Sequence, residues 1–282
     1  MGVNIPFGGV IQGTSAAETL TGSASSDQIF AYEGADTVTG LEGNDVLFGA
    51  EGDDILNGNA GDDVLLGQAG FNLVSGGAGN DVLLAGADQN LLLGGEGADQ
   101  LVGGNGTDAL LGDAGNDLLF GGRGFDAVVG GDGNDIMDAG MGLGVHQGGA
   151  GADTFRVGND ILDNGQTDRI IALDFSAAED ALDLGDGVVA AVTRIEDAEI
   201  DLFPVVEAAG STGFVEADFT SRLTSLDGGD TLVESTSDTL SFFTPDATGS
   251  VAAEGVSVLL RDGDRIDIVG VTRDELLGLL GT

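Results

Sequence analysis

The chain has 282 residues, a formal net charge of −41 at pH 7, 41% apolar residues, 52 glycines and no cysteine. So acidic a surface excludes nucleic acid as a partner, because phosphate would be repelled. The lack of cysteine excludes disulfides and thiolate metal sites, and no apolar run approaches the ~18 residues of a membrane span.

Self-repulsion on this scale predicts disorder, yet the apolar content is too high for a disordered tail. The two facts reconcile if cations are part of the fold. The first residues, MGVNIPFGGVIQG, lack the basic start and long apolar centre of a conventional signal peptide. Residues 1–12 are expected to form an N-terminal cap strand.

From Gly13 to Arg156 the sequence divides into sixteen uninterrupted blocks of nine. Examples are GAEGDDILN (49–57), GGAGNDVLL (76–84) and GGDGNDIMD (130–138). The eighth position of each block is apolar everywhere except His146, from Leu20 and Ile29 through to Phe155. It is therefore expected to face a core. Glycines at positions one, two and four permit backbone conformations closed to other residues. A six-residue turn followed by a three-residue strand is the natural parse. One block cannot close around an apolar core, but two can, with a strand on each side. The expected architecture of 13–156 is an all-β parallel β-roll of about eight 18-residue coils, roughly 40 Å long at ordinary strand spacing.

The blocks resemble the repeats-in-toxin (RTX, hemolysin-type) family, whose nonapeptide G-G-x-G-x-D-x-U-x binds calcium. The resemblance covers about half the chain. It implies a right-handed roll with Ca²⁺ between turns one coil apart, held by sixth-position carboxylates and turn carbonyls, an all-oxygen shell. Alternate blocks stack on the same side. Even-numbered blocks supply an unbroken row: Asp27, Asp45, Asp63, Asp81, Asp99, Asp117, Asp135 and Asp153. Odd-numbered blocks supply Glu18, Asp36, Asp54, Asn72, Asn90, Asp108, Asp126 and Gly144. About seven ions are expected along the even row (eight carboxylates enclose seven gaps), with two or more in the odd row at Asp36/Asp54 and Asp108/Asp126. Asn72 and Asn90 bring no charge. Their gap is expected to be empty or stitched by amide hydrogen bonds.

Positions seven and nine should point outward and, in a solvated roll, be polar. Here one side carries Val46, Phe48, Val64, Leu66, Val82, Leu84, Val102, Leu118, Phe120 and Ile136. The other carries Ile55, Leu73, Leu91, Leu93, Leu111 and Val129. Stripes of this extent are expected to be covered: by the C-terminal half folding back, by self-association of rolls, or by an apolar surface outside the protein.

Past Phe155 the pattern changes. Residues 157–282 are expected to form a β-rich C-terminal cap and assembly domain. The segment 168–187 resembles the strand that typically follows an RTX array; its Asp168, Asp174, Asp180 and Asp183 are read as solvated loop charges. Strands are expected in GVVAAVTRI, IDLFPVV, GFVEADF, DTLVEST, DTLSFFT, GVSVLL and DRIDIVGV, with a hairpin at Asp262–Asp264. A short helix capped by Thr272 should end the chain. The family resemblance implies a type I secretion signal in this last stretch. It also implies export of an unfolded, acidic chain that calcium folds outside the cell.

No enzyme signature is present. A single histidine rules out H-E-x-x-H, and no G-x-S-x-G turn occurs. His146 reads as a packed residue rather than a base. The expectation is a secreted, extracellular or cell-surface calcium-binding structural protein that assembles through its apolar faces. The alternatives are a carbohydrate- or receptor-binding module on a calcium-stabilised spacer and a non-catalytic accessory of a secreted enzyme.

Overall fold

A computed structural model of the chain describes residues 8–158, 168–185, 188, 192–201, 252–261, 263–269 and 271–279. The strands expected in 202–250 lie outside the described residues. The repeat array is a parallel β-solenoid of about eight coils. Its strands are β1 (Val10–Gln12), β2 (Thr19–Thr21), β3 (Gln28–Glu33), β4 (Thr37–Glu42), β5 (Val46–Glu51), β6 (Ile55–Ala60), β7 (Val64–Ala69) and β8 (Asn72–Ala78). They continue as β9 (Val82–Gly86), β10 (Asn90–Glu96), β11 (Gln100–Gly106), β12 (Asp108–Ala114), β13 (Leu118–Asp132), β14 (Ile136–Asp138), β15 (Met141–Ala150) and β16 (Thr154–Val157). Each strand pairs in parallel with the one 18 residues away, as in Val46↔Val64 and Leu91↔Ala109.

The strands are longer than the expected three residues. Most run through positions seven to nine and on into positions one to three of the next block. Because each coil repeats the one below, turn residues also find backbone partners: Tyr32 pairs with Ala50, and Gly34 N–H donates to Glu51 O at 2.8 Å. Position two is left-handed even where it is not glycine, as at Leu41 (φ 87°) and Ala50 (φ 81°). Position four is glycine in most blocks, and there the preceding coil leaves no room for a side chain. At Gly115 (φ 143°) an added Cβ would lie 1.4 Å from the carbonyl oxygen of Gly97 in the preceding coil.

Position eight forms the core, as expected. Leu47, Leu56, Leu65, Leu83, Leu92 and Leu101 are all fully buried, and the column runs from Ile11 to Phe155. A repeat with one buried side chain per block thus builds a continuous core only through stacking.

Beyond the repeats come β17 (Arg169–Ala172), β18 (Ala181–Leu184), β19 (Val192–Asp201), β20 (Ala252–Leu260), β21 (Arg265–Val269) and the helix α1 (Arg273–Leu279). β18 adds to the even-side sheet through β16. On the odd side β17 pairs with β15, and β21 continues the stack in parallel. β20 and β19 follow antiparallel, joined to β21 through the expected hairpin, with Gly263 at φ 106°. These strands are consistent with a capping sub-domain on the end of the solenoid. Thr272 caps α1 reciprocally: its N–H donates to Glu275 Oε2 at 2.8 Å, and Glu275 N–H donates to Thr272 Oγ1 at 3.4 Å.

Candidate metal centre

Each even-side carboxylate is fixed by the backbone of its neighbour. The N–H of Asp45 donates to Asp63 Oδ1 at 2.6 Å and that of Asp63 to Asp81 Oδ1 at 2.7 Å. The N–H of Asp81 donates to Asp99 Oδ1, also at 2.7 Å. The same bond repeats from Gly9→Asp27 through Asp27→Asp45, Asp99→Asp117 and Asp117→Asp135 to Asp135→Asp153. On the odd side it links Glu18→Asp36→Asp54→Asn72→Asn90 and Asp108→Asp126. Two rows of carboxylates are therefore stacked at coil spacing, as the nine-residue period predicts.

The second oxygen of these groups distinguishes the turns. Oδ2 of Asp45, Asp63, Asp81, Asp99, Asp117 and Asp135 is buried without a hydrogen bond, and so is that of Asp36, Asp54, Asp108 and Asp126. A buried anionic oxygen left unpaired costs at least about 1–3 kcal/mol, and the cost recurs at ten positions. Desolvation is the largest influence on these carboxyls. It pushes Asp54, Asp63, Asp99 and Asp117 up to about 6, Asp81, Asp108 and Asp135 up to about 7, and Asp126 up to about 8. The backbone N–H bonds pull the other way. Asp36, Asp45 and Asp153 are also raised, again chiefly by desolvation.

Asparagine shows what the orphaned atom requires. A Cβ added at Gly58 would lie 2.3 Å from Asp63 Oδ2, and one at Gly67 would lie 2.8 Å from Asn72 Nδ2, so the two atoms occupy equivalent places. Asn72 Nδ2 donates to Gly70 O at 3.1 Å, and Asn90 Nδ2 donates to Asp88 O at 2.6 Å. Both acceptors are the position-four carbonyl of the same turn. An amide fills that place with a donor. A carboxylate puts a second oxygen there, and either a proton, as the raised carboxyls allow, or a bound cation reconciles the oxygens. The donor set is entirely oxygen, which suits a hard divalent ion such as calcium. Among the described residues no group of three or more His, Cys, Asp or Glu converges. Carboxylates meet pairwise along the stack, and backbone carbonyls must complete any shell.

The ends of the rows are closed differently. Asp27 Oδ2 accepts from Ser23 N–H at 2.7 Å and Ser23 Oγ at 2.9 Å, so the first even turn, GSASSD, satisfies itself. Serine at position two was the available signal and was not read from the sequence. At the other end Asp153 N–H donates to Asp180 Oδ1 at 2.9 Å, extending the even row into the cap. Asp174 accepts from Gly148 and Gly149 N–H. Of the four acidic positions read as solvated, only Asp183 is both exposed and free of such a backbone bond, while Asp168 is buried and its N–H donates to Asp264 Oδ1. The correction follows from a partner 96 residues away. Similarly, Asp267 is fully buried beneath Arg169 Nε (2.7 Å), Arg265 Nε (2.5 Å) and Ser257 Oγ (2.6 Å). His146 is packed: it is fully buried, burial lowers it to about 3, and its Nε2 accepts from Ala139 N–H.

The two outer faces also differ. On the odd side Leu73, Leu91, Leu93, Ala109 and Leu111 form a buried cluster, with Leu73 and Leu93 only 1% exposed. On the even side Leu84 is 37% and Ile136 41% exposed, and the central residues are half-buried. Only one of the two expected stripes is open.

A parallel β-solenoid whose turns present stacked carboxylates one coil apart is a β-roll of the calcium-binding type. Residues 12–47, 39–74, 75–110 and 111–143 match four copies of the RTX calcium-binding nonapeptide repeat, and this array belongs to the RTX family. RTX repeats imply calcium sites in the turns and a protein secreted from the cell; the repeat is structural rather than catalytic. No curated protein matches the sequence. Among the described residues no helix is long and apolar enough to cross a membrane.

Proposed function

We propose that this is an extracellular structural protein whose roll is folded by calcium after export. The carboxylates and turn carbonyls of successive turns would hold the ions. About seven are held along Asp27, Asp45, Asp63, Asp81, Asp99, Asp117, Asp135 and Asp153, and two or more by Asp36/Asp54 and Asp108/Asp126. The observation that carries the reading is the series of buried, unbonded Oδ2 atoms, interrupted where asparagine stands. In this reading residues 1–12 cap one end, 13–156 bind the ions, and 157–282 close the other end and carry the type I export signal. A chain of net charge −41 stays unfolded where calcium is scarce and can be threaded outward. Millimolar calcium outside neutralises the rows and releases folding. The bound ions supply charge neutralisation; the chain's own residues supply the oxygens and the stacked backbone that fixes them.

Titrating chelator-treated protein with calcium, followed by far-UV circular dichroism and calorimetry, tests this. Cooperative β-structure gained with several equivalents bound is expected. A chain equally folded in chelator, or one that binds no calcium, defeats the proposal. The carbohydrate-binding alternative draws no support from the aromatics on the even face. Phe30 and Phe48 are half-buried and stack at 4.6 Å and 6°, so their facing sides cover each other, and Tyr32 beside them is stacked on Phe30 at 6.4 Å. A sugar platform needs ring faces.

A further inference from the structure

The open even face is unusual in a chain this acidic. Outward positions of β3, β5, β7, β9, β11 and the first half of β13 are Gln28/Phe30/Tyr32, Val46/Phe48/Ala50, and so on to Leu118/Phe120/Gly122. None of the eighteen is charged. Charge returns only at the rim. Glu33 and Glu51 are exposed at one end of the position-three edge, and Arg123 is exposed at the other. Arg123 is the only lysine or arginine between Gly13 and Phe155.

We propose that this face docks against the same face of a second copy, with the two rolls antiparallel. The inference rests on the calcium-folded reading above and goes on to name its partner. An identical face has the same strand period, ~4.8 Å, so its side-chain ridges mesh along the whole length. Six strands with outward side chains spaced over ~13 Å give a face of roughly 29 by 15 Å, about 400 Å² in projection. Two such faces give about 800 Å² in projection, short of the ~1,200 Å² of a standard specific interface, so the dimer is weak and concentration-dependent. A two-fold axis along the strand direction, between β7 and β9, reverses the order of coils and keeps each edge over its own kind. That operation sets the β7 row over the β9 row of the second copy. It also sets the Glu33 coil over the Arg123 coil, because the β3 row falls opposite the β13 row. Both ends then carry an opposite-charge pair, and the axis superposes no like charges at the rim. A charged partner or an anionic surface finds no such match on a face without charge.

Sedimentation of the full chain in millimolar calcium, from about 5 μM to about 1 mM, tests the dimer. The mass should rise from 28.0 kDa towards twice that value. Leu84→Glu places a charge near the axis and should weaken association more than tenfold. Arg123→Glu and Glu33→Arg should each weaken it roughly two- to fivefold, as rim pairs do. The double variant Glu33→Arg/Arg123→Glu should restore it. Circular dichroism and calcium stoichiometry on the same samples should be unchanged in every variant. A folded monomer throughout the range overturns the dimer and leaves the calcium reading standing. So does association indifferent to Leu84→Glu, or a monomer that binds phosphatidylcholine vesicles instead. Failure to restore with the double variant overturns the antiparallel arrangement.

Discussion

Replacing Asp81 by asparagine should change stability with opposite signs in the two calcium states. Asp81 Oδ1 accepts Asp63 N–H at 2.7 Å, and an amide keeps that acceptor. Oδ2 is buried without a hydrogen bond, and an Nδ2 in its place would donate to the position-four carbonyl, as in Asn72 and Asn90. Without calcium the change removes an unpaired buried group, worth about 1–3 kcal/mol, and adds a hydrogen bond worth about 0.5–1.5 kcal/mol. The expected gain is roughly 2–4 kcal/mol. With calcium the same change deletes a charged ligand from a shared row, and stability and stoichiometry should both fall. The assay is urea unfolding by circular dichroism in excess chelator, with sulfate added to favour the compact state, and again in millimolar calcium, with ion binding by calorimetry. If Asp81→Asn destabilises equally in both conditions, or binds as many ions as the parent, the cation account of the ladder is wrong.

The reverse substitution should reverse the effect. Asn72→Asp with Asn90→Asp removes two amide donors, destabilises the calcium-free roll and raises the number of ions bound, read by calorimetry. Gly115→Ala drives a Cβ to 1.4 Å from Gly97 O and should prevent folding of that coil, whereas Ala50→Gly, at φ 81°, should raise the melting temperature by the equivalent of about 1 kcal/mol. In chelator the raised carboxyls, from about 6 at Asp63 to about 8 at Asp126, hold protons in the native state that the unfolded chain, near 3.9, has already lost. Their contribution is therefore fully present below about pH 4 and lost as pH rises through 6 to 8, so in chelator, with the same sulfate that favours the compact state, the folded fraction by circular dichroism should be higher at pH 5 than at pH 8. His146 acts in the opposite sense, because its folded value is lowered to about 3. Its contribution is present above 6.5 and lost as pH falls, and its ring resonances should not titrate between pH 5 and 8.

The solenoid was legible because its contacts are periodic. A side chain at position eight meets its neighbour 18 residues away in every coil, so the column from Leu20 to Phe155 and the rows of Asp27 and Asp36 follow from counting. The Thr272 cap was legible because it is local. What counting could not reach depends on unique pairings. Asp168 meets Asp264, and Asp267 gathers Arg169, Arg265 and Ser257, through strands far apart in sequence. Strand length escaped for another reason. Glycine reads as turn, yet stacked turns pair with each other as strands do. The outward leucines on the two sides looked alike, and only burial separated Leu93 at 1% from Leu84 at 37%.

That separation coincides with the break in the odd row, and the coincidence has a physical reading. Asn72 and Asn90 stand in the coils whose outward Leu73, Leu91 and Leu93 are buried. Each buried leucine contributes roughly 1.5–3 kcal/mol, as an upper estimate. Three of them together contribute roughly 5–9 kcal/mol on that scale, in the stretch where the asparagine turns are joined by amide hydrogen bonds. The even side has no such cover at Val64, Leu66, Val82 and Leu84, and there the aspartates are uninterrupted. On the proposed calcium reading, ions and apolar burial are alternative means of joining one coil to the next. The even side, with its unbroken row of carboxylates, keeps its apolar face open for something else.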